Sequence, residues 1–141
     1  AEQWNTMTAS WGGVGYLWNR PVAFVFVRPE RYTHGFIEAN ERLTLSFLDP
    51  ADRDILSFCG SHSGRDCDKA QATGLRPVTT PDGAVTFEQA RLTLECRKLF
   101  QTDMAAADFI DTGCLERWYG PGEGQSLHTI YVVEIEHVYS K

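Results

Sequence analysis

The chain has 141 residues, of which 43% are hydrophobic, and its formal net charge is −6 at pH 7. This length and composition predict one globular domain over residues 1–141, and the negative charge argues against a protein that binds nucleic acid by neutralising phosphates. No stretch approaches the roughly 18 consecutive apolar residues of a membrane span, and no signal-peptide pattern opens the chain. We therefore expect a cytoplasmic location without a membrane partner.

The first predicted strand covers Asn5–Trp11, where Thr and Ser alternate with Met7, Ala9 and Trp11. One face of such a strand can offer hydrogen bonds and backbone to a flat ligand while the other packs inward. The glycines that follow are not a dinucleotide-binding loop, because the third glycine is absent and Tyr16–Trp18 is strand-like. They indicate a bend or a close approach of the backbone.

The second predicted strand, Val22–Val27, is an unbroken apolar run typical of a strand buried on both faces. Pro29 should end the ladder, and Thr33 is a plausible N-cap for a short helix that Asn40 closes. Arg28, Arg31, a hydroxyl and a helix N-terminus would then meet at one place, which favours phosphate binding. Two solvated arginines in an ordinary loop are the alternative.

The middle of the chain predicts a strand over Arg42–Leu48 and a helix that begins at Asp49-Pro50 and stops at Gly60. The loop Cys59–Lys69 contains glycines, serines and His62, and its N–H groups could form an anion-binding concavity. A hydrogen-bonded loop histidine is the preferred interpretation of His62, with a general base as the alternative. A short helix should follow over Asp66–Thr73, with Gly74 as its cap.

The sequence pattern predicts mainly strands in the last part of the chain. Pro81–Gly83 predicts a turn, and Val85–Phe87 can form a strand after it. Leu92–Phe100 predicts a strand with one buried and one wet face, and residues 127–139 predict a long closing strand. We predict a loop over residues 117–124, in which Trp118 and Tyr119 could cover a ligand or a partner subunit. About seven strands without βαβ alternation favour an antiparallel barrel.

The four cysteines are far apart and form no C-x-x-C pair. Without an export signal we expect reduced thiols, with two disulfides as the alternative. Neither Cys nor His falls at ligand spacing, so no metal site is predicted.

Five segments in order resemble the flavin reductase-like family of FMN-binding split β-barrels, which includes flavoredoxin. They are NTMTASWGGVG, RPERYT, LSFLD, FCGSHSGRDCDK and LHTIYVVEIE. The resemblance implies a mainly β fold, a six-stranded split barrel with short flanking helices. It also implies a homodimer that holds one non-covalent FMN per subunit near the dimer interface.

The resemblance further implies which residues hold FMN. Those expected beside the isoalloxazine ring are Thr8, Ala9, Ser10 and Trp11, with Ser46, Phe47 and Leu48 at a second strand end. Those expected at the phosphate and ribityl chain are Arg28, Arg31, Tyr32 and Thr33. Those expected from the second loop are Cys59, Gly60, Ser61, Ser63 and Lys69, although the Lys69 side chain could equally point to water.

The implied activity is NAD(P)H-dependent reduction of flavin, in which no side chain is an obligatory acid or base. One alternative is a flavoredoxin-type electron carrier or metal-ion reductase that a partner protein supplies with electrons. A second alternative is a flavin-binding module without catalytic activity. The sequence contains no motif that separates NADH from NADPH as the electron donor.

Overall fold

The computed structural model describes residues 4–121 and 126–141, which contain seven strands and four α-helices. The strands are β1 (Gly12–Leu17), β2 (Arg20–Val27), β3 (Arg42–Phe47), β4 (Pro77–Thr79), β5 (Val85–Phe87), β6 (Leu92–Asp103) and β7 (Thr129–Ser140). The helices are α1 (Tyr32–Ala39), α2 (Arg53–Ser61), α3 (Lys69–Thr73) and α4 (Thr112–Tyr119), with 3-10 turns at Pro50–Asp52 and Ala106–Asp108.

Five of the strands form one antiparallel sheet in the order β1-β2-β7-β6-β3, while β4 and β5 form a separate hairpin. The apolar run predicted as a buried strand lies in β2, between β1 and β7. The main core packs one face of this sheet against α1, and its members are Ala23, Val25, Val27, Ile37, Leu94, Cys96, Tyr131 and Val133. A second, smaller core joins Cys59 of α2 to Leu75 and Phe87.

The prediction of a strand over Asn5–Trp11 is wrong, because residues 4–10 have no regular structure and β1 begins only at Gly12. The β1–β2 hairpin turns at Trp18 and Asn19, whose φ angles of 54° and 62° are those of a tight hairpin turn. Close packing requires glycine at the start of β1, since a Cβ on Gly12 would lie 2.5 Å from the carbonyl oxygen of Phe24. Residues 4–11 are called the irregular segment below. Because this segment has no strand ladder, side-chain contacts have to hold it in place.

Helix α1 ends at Asn40 as predicted but begins earlier, with Arg31 at its N-cap. Thr33 is therefore not the cap, and its hydroxyl accepts a hydrogen bond from Asn5 instead. The next helix also departs from the prediction, because α2 continues through Gly60 to Ser61. The third is shorter than predicted: α3 is capped by Asp68, whose side chain accepts from the Gln71 N–H, and by Gly74 at φ 80°.

The predicted wet face of β6 is wrong, because Thr93 and Glu95 are buried. The β4–β5 hairpin covers this face, and the Thr86 hydroxyl lies 2.8 Å from that of Thr93. The Glu95 carboxylate accepts hydrogen bonds from the hydroxyls of Thr80 and Tyr139. Buried polar groups need such partners, so the hairpin supplies what an exposed strand face would obtain from water.

We expect Thr80→Val to lower the free energy of unfolding by about 1.5 to 3 kcal/mol, the range for a hydrogen bond to a charged group. The substitution keeps the shape of the side chain but removes the donor to Glu95 and the acceptor of the Ala84 N–H. Urea denaturation followed by tryptophan fluorescence measures the change. Thr79→Val is the matched control, because Thr79 is the exposed neighbour in β4; equal effects of the two substitutions would contradict the burial argument.

Part of the predicted loop over residues 117–124 is helical, since α4 continues to Tyr119. Residues 122–124 lie outside the described ranges. None of the helices in residues 4–121 and 126–141 is long and apolar enough to cross a membrane.

Candidate functional site

Two neighbouring cavities lie along the irregular segment, and residues of this segment border both of them. The larger, of about 750 Å³, is bordered by the irregular segment, the inner side of β2, α1 and β3. The smaller, of about 270 Å³, is bordered by the turn before α1 and by the loop after α2. Asn5, Met7 and Thr33 border both cavities, so together the two can hold one elongated ligand.

Three side-chain hydrogen bonds between described residues hold the irregular segment in place. Asn5 Nδ2 donates to Thr33 Oγ1 over 2.9 Å, and Thr8 Oγ1 donates to the Leu56 carbonyl over 2.5 Å. The third bond comes from Lys69, whose Nζ lies 2.6 Å from the carbonyl oxygen of Thr6. These bonds replace the ladder that a strand would have, and they fix the backbone that borders the larger cavity.

The smaller cavity concentrates positive charge. Arg31 is half-buried, and no carboxylate in the described residues lies within salt-bridge distance of its guanidinium. Burial lowers the pKa of Arg31, as expected for a cation partly removed from water. Tyr32, Thr33, Ser61 and Ser63 add hydroxyl groups to the same wall. An anion with several oxygen acceptors fits this set of donors.

Lys69 also borders the smaller cavity, but its side chain does not point to water. The residue is only 4% exposed, and its ammonium donates to the carbonyl oxygens of Thr6 and Cys59. Burial lowers the pKa of Lys69, and the nearby Arg31 lowers it further, whereas the thiols of Cys59 and Cys67 oppose the shift. The ammonium thus ties two backbone segments together while adding to the positive field of the cavity.

Arg65, which was not among the predicted site residues, lies at the rim of the smaller cavity. Its guanidinium carbon is 4.9 Å from the centre of the Tyr32 ring, and Nη1 donates to the Glu30 carbonyl over 3.1 Å. Glu30 also borders this cavity, and its carboxylate accepts from the Ser126 N–H over 2.7 Å. The rim therefore offers an exposed cation in addition to the half-buried Arg31.

Of the predicted site residues, all except Arg28 border one of the two cavities. Arg28 does not join Arg31, because its guanidinium lies under the end of α4, where it donates to the carbonyl oxygens of Trp118 and Ser126. It also lies 4.8 Å from the centre of the Tyr119 ring. The predicted pairing of two guanidiniums is thus wrong, and Arg31 has Lys69 and Arg65 as its neighbours in the cavity wall.

The predicted ring-side residues all border the larger cavity. Residues 8–11 belong to the irregular segment, Ser46 and Phe47 are the last residues of β3 and Leu48 follows them, while Cys59 borders the cavity from α2. The Ser46 hydroxyl is 2.8 Å from the hydroxyl of Thr86, so it is already engaged with the β4–β5 hairpin. The walls contain few charged groups, so this cavity suits a flat, largely apolar ring.

An aromatic cluster surrounds Trp11, which borders the larger cavity. It contains Trp118 and Tyr119, the two residues proposed from the sequence as a cover, and His128, which was not predicted. The rings of Trp11 and Trp118 meet edge to face at 5.0 Å, and His128 lies 5.5 Å from Trp11. His128 Nδ1 is 2.5 Å from the Tyr119 hydroxyl. Burial lowers the pKa of His128, and the positive charge of Arg28 lowers it further. The negative charge of Glu30 acts in the opposite direction. Only its place in the LHTIYVVEIE segment could have drawn attention to His128.

All four cysteines are free thiols. We expect the reagent DTNB to label exposed Cys114 quickly at pH 8, while Cys59 and Cys96 react only after unfolding. Both are buried, and burial raises the pKa of Cys59 and raises that of Cys96 to about 12, so their thiols stay protonated at pH 8. Mass spectrometry of the labelled peptides checks this; rapid labelling of Cys96 in the folded protein would contradict it.

Comparisons with known proteins agree with this geometry. The family model described as "Flavin reductase like domain" matches residues 1–141. No curated protein matches the chain.

Solved structures that share the fold include the following three. An FMN-binding protein from Thermus thermophilus with bound p-hydroxybenzaldehyde is 25% identical with a TM-score of 0.73, and the match covers 97% of this chain and 64% of that one. Flavoredoxin of Desulfovibrio vulgaris is 22% identical with a TM-score of 0.75, covering 97% and 62%. An NADH:FAD oxidoreductase from Streptomyces globisporus is 17% identical with a TM-score of 0.69, covering 97% and 68%.

The chain spans less than two thirds of the length of the first two of these proteins. The likeness confirms the predicted mainly β, split-barrel fold. The strand count differs from the predicted six, because the main sheet has five strands and β4–β5 stands apart.

Proposed function

Because the chain belongs to the flavin reductase-like family, we propose that it binds FMN and transfers electrons from NAD(P)H to flavin or another small-molecule acceptor. The observation that carries the proposal is the junction of two unlike cavities. A cationic cavity rich in hydroxyl groups opens beside a larger, mostly apolar one, and three residues border both. This arrangement suits a flat ring joined by a polar chain to a phosphate.

The residues present fit FMN at both ends. Arg31 has no acidic partner in the described residues, and a phosphate would supply one. The hydroxyls of Thr33, Ser61 and Ser63 would complete the phosphate site, with Arg65 at the rim. Backbone N–H groups of residues 8–11 or 46–48 would face the pyrimidine side of the ring and stabilise negative charge there.

When bound, FMN supplies hydride and single-electron chemistry, and the protein supplies position and electrostatics. We propose no obligatory acid or base among the side chains. Trp118, which packs against the cavity residue Trp11, would limit the access of water to the ring. A nicotinamide or another flat substrate would stack on the face of the ring that the protein leaves open.

We also propose that the active form is a cytoplasmic homodimer. Strand β1 is an edge of the main sheet, and its Val14 and Tyr16 side chains are 65% and 68% exposed. Trp18 in the adjoining turn is 53% exposed. An uncovered edge with large apolar side chains is a pairing site, and a second copy would cover it. Sedimentation analysis tests this assembly.

The second candidate function is that of an electron carrier or metal-ion reductase that a partner protein supplies with electrons. The similarity to flavoredoxin favours it. Such a protein would bind FMN but oxidise NADH or NADPH poorly.

Titration of the apoprotein with FMN, followed by flavin absorbance and fluorescence, tests the binding proposal. We expect saturable one-to-one binding, and no binding would contradict the proposed function. Anaerobic stopped-flow mixing of the FMN-loaded protein with NADH and with NADPH then separates the candidates. Rapid bleaching of the flavin supports the reductase, whereas bleaching by dithionite alone supports the carrier or a non-catalytic flavin-binding module.

A further inference from the structure

We infer that Lys69 is a positioning residue that holds the backbone of the irregular segment against the ring side of the flavin site, and that it is not a phosphate ligand. The inference rests on the proposed function, and it assigns Lys69 a role that differs from that of its neighbour Arg31.

The first observation is where the ammonium group lies. Lys69 Nζ is 2.6 Å from the carbonyl oxygen of Thr6 and 3.2 Å from that of Cys59. Thr6 belongs to the irregular segment, and Cys59 belongs to α2 near its C-terminal end. One buried cation therefore joins the segment to the helix that precedes the second loop.

The second observation is how few other hydrogen bonds hold the segment, which otherwise packs through the side chains of Trp4, Met7 and Trp11. Residues 4–10 form no strand, and within the described residues the other side-chain hydrogen bonds to the segment are Asn5–Thr33 and Thr8–Leu56. Both of these donors are neutral, whereas Lys69 is charged. Hydrogen bonds from charged donors are roughly twice as strong as neutral ones. The hydrogen bond from Lys69 is thus the strongest of the three. It is made to Thr6, two residues before the ring-side backbone begins at Thr8.

The third observation separates Lys69 from the phosphate donors. Two of the three N–H groups of its ammonium are engaged by carbonyl oxygens, and the residue is only 4% exposed. Arg31 is more exposed, and Arg65 lies at the open rim of the same cavity. A phosphate can therefore reach these guanidiniums without the loss of an existing hydrogen bond, whereas Lys69 would have to release a backbone carbonyl.

A comparison of FMN with riboflavin, which has the same ring but no phosphate, tests the inference. Lys69→Met keeps most of the side-chain volume and removes the charge and the donors. We expect it to weaken the binding of FMN and riboflavin by similar factors of about tenfold or more, because the ring-side backbone loses its support. Arg31→Ala is the matched control, and it should weaken FMN binding while riboflavin binding stays within about twofold.

Loss of FMN affinity alone in Lys69→Met would overturn the inference and make Lys69 a phosphate ligand. Unchanged affinity for both flavins would also overturn it. If Lys69→Met does not fold, Lys69→Gln, which keeps an amide donor without the charge, provides the same comparison.

Hydrogen–deuterium exchange of the apoprotein gives a readout that does not depend on flavin. Lys69→Met should raise exchange in residues 4–11, and Arg31→Ala should not. If the wild-type protein bound neither flavin, the proposed function would fail, yet the exchange experiment would still decide the role of Lys69. Equal exchange in wild type and Lys69→Met would contradict that role.

Discussion

Arg31→Ala should weaken FMN binding by about 1.5 to 3 kcal/mol, the range for hydrogen bonds to a charged group. Arg31 is half-buried in the wall of the smaller cavity, and no acidic partner in the described residues competes for its guanidinium. A bound phosphate would therefore gain most of the interaction that this cation can make. Fluorescence titration of the apoprotein with FMN measures the change.

Two other arginines make this prediction specific. Arg76→Ala is the inert control, because Arg76 is exposed and pairs with Glu88 on the β4–β5 hairpin side of the molecule. Arg28→Ala distinguishes the phosphate site predicted from the sequence from the site seen in the structure. If both arginines bound the phosphate, the two substitutions would weaken FMN binding to a similar extent. The structure instead predicts a clearly smaller loss of FMN affinity for Arg28→Ala than for Arg31→Ala. If Arg28→Ala cost more FMN affinity than Arg31→Ala, our assignment of the phosphate site would be wrong.

Gly64→Ala should lower the free energy of unfolding by about 1 to 3 kcal/mol and weaken FMN binding, because overpacking forces side chains out of place. A Cβ at this position would lie 2.2 Å from Asn5 Oδ1 and 2.9 Å from the Tyr32 ring. Asn5 cannot retreat freely, since its amide donates to Thr33. Both neighbours border the smaller cavity, so we expect stability and ligand affinity to fall together. Chemical denaturation and FMN titration of the same preparation measure the two effects.

Gly35→Ala is the matched control for this substitution. A Cβ on Gly35 would meet nothing within 4 Å, and the residue lies in α1, where alanine favours the helix more than glycine does. It should leave FMN affinity unchanged and raise stability slightly. Wild-type stability and affinity in Gly64→Ala would show that the loop stands further from Asn5 than the structure places it.

Much of the fold could be predicted from local pattern alone. The apolar run Val22–Val27, the alternation from Arg42 and the long C-terminal strand all lie in strands, because their composition suits a packed sheet. The short helices were also found near their predicted places. The family resemblance supplied the chain connectivity that these patterns lack.

The sequence-based predictions that were wrong have a common physical cause: tertiary contacts override the preference of the local sequence pattern. Asn5–Trp11 alternates like a strand but has no ladder partner, and Glu95 looks solvent-facing until the β4–β5 hairpin covers it. Arg28 and Arg31 are three residues apart, yet they turn to different parts of the molecule. No sequence pattern reveals that Lys69 binds backbone carbonyls, because its acceptors are 63 and 10 positions away along the chain.

The hydrogen bond between Asn5 and Thr33 stands where the two cavities meet. Its position sets how far apart a ring and a terminal anion must be if one molecule is to reach both. A flavin analogue whose polyol tail is shortened by two carbons would have to give up one end or the other. The protein would then discriminate among flavins by the reach of the tail as well as by its charge.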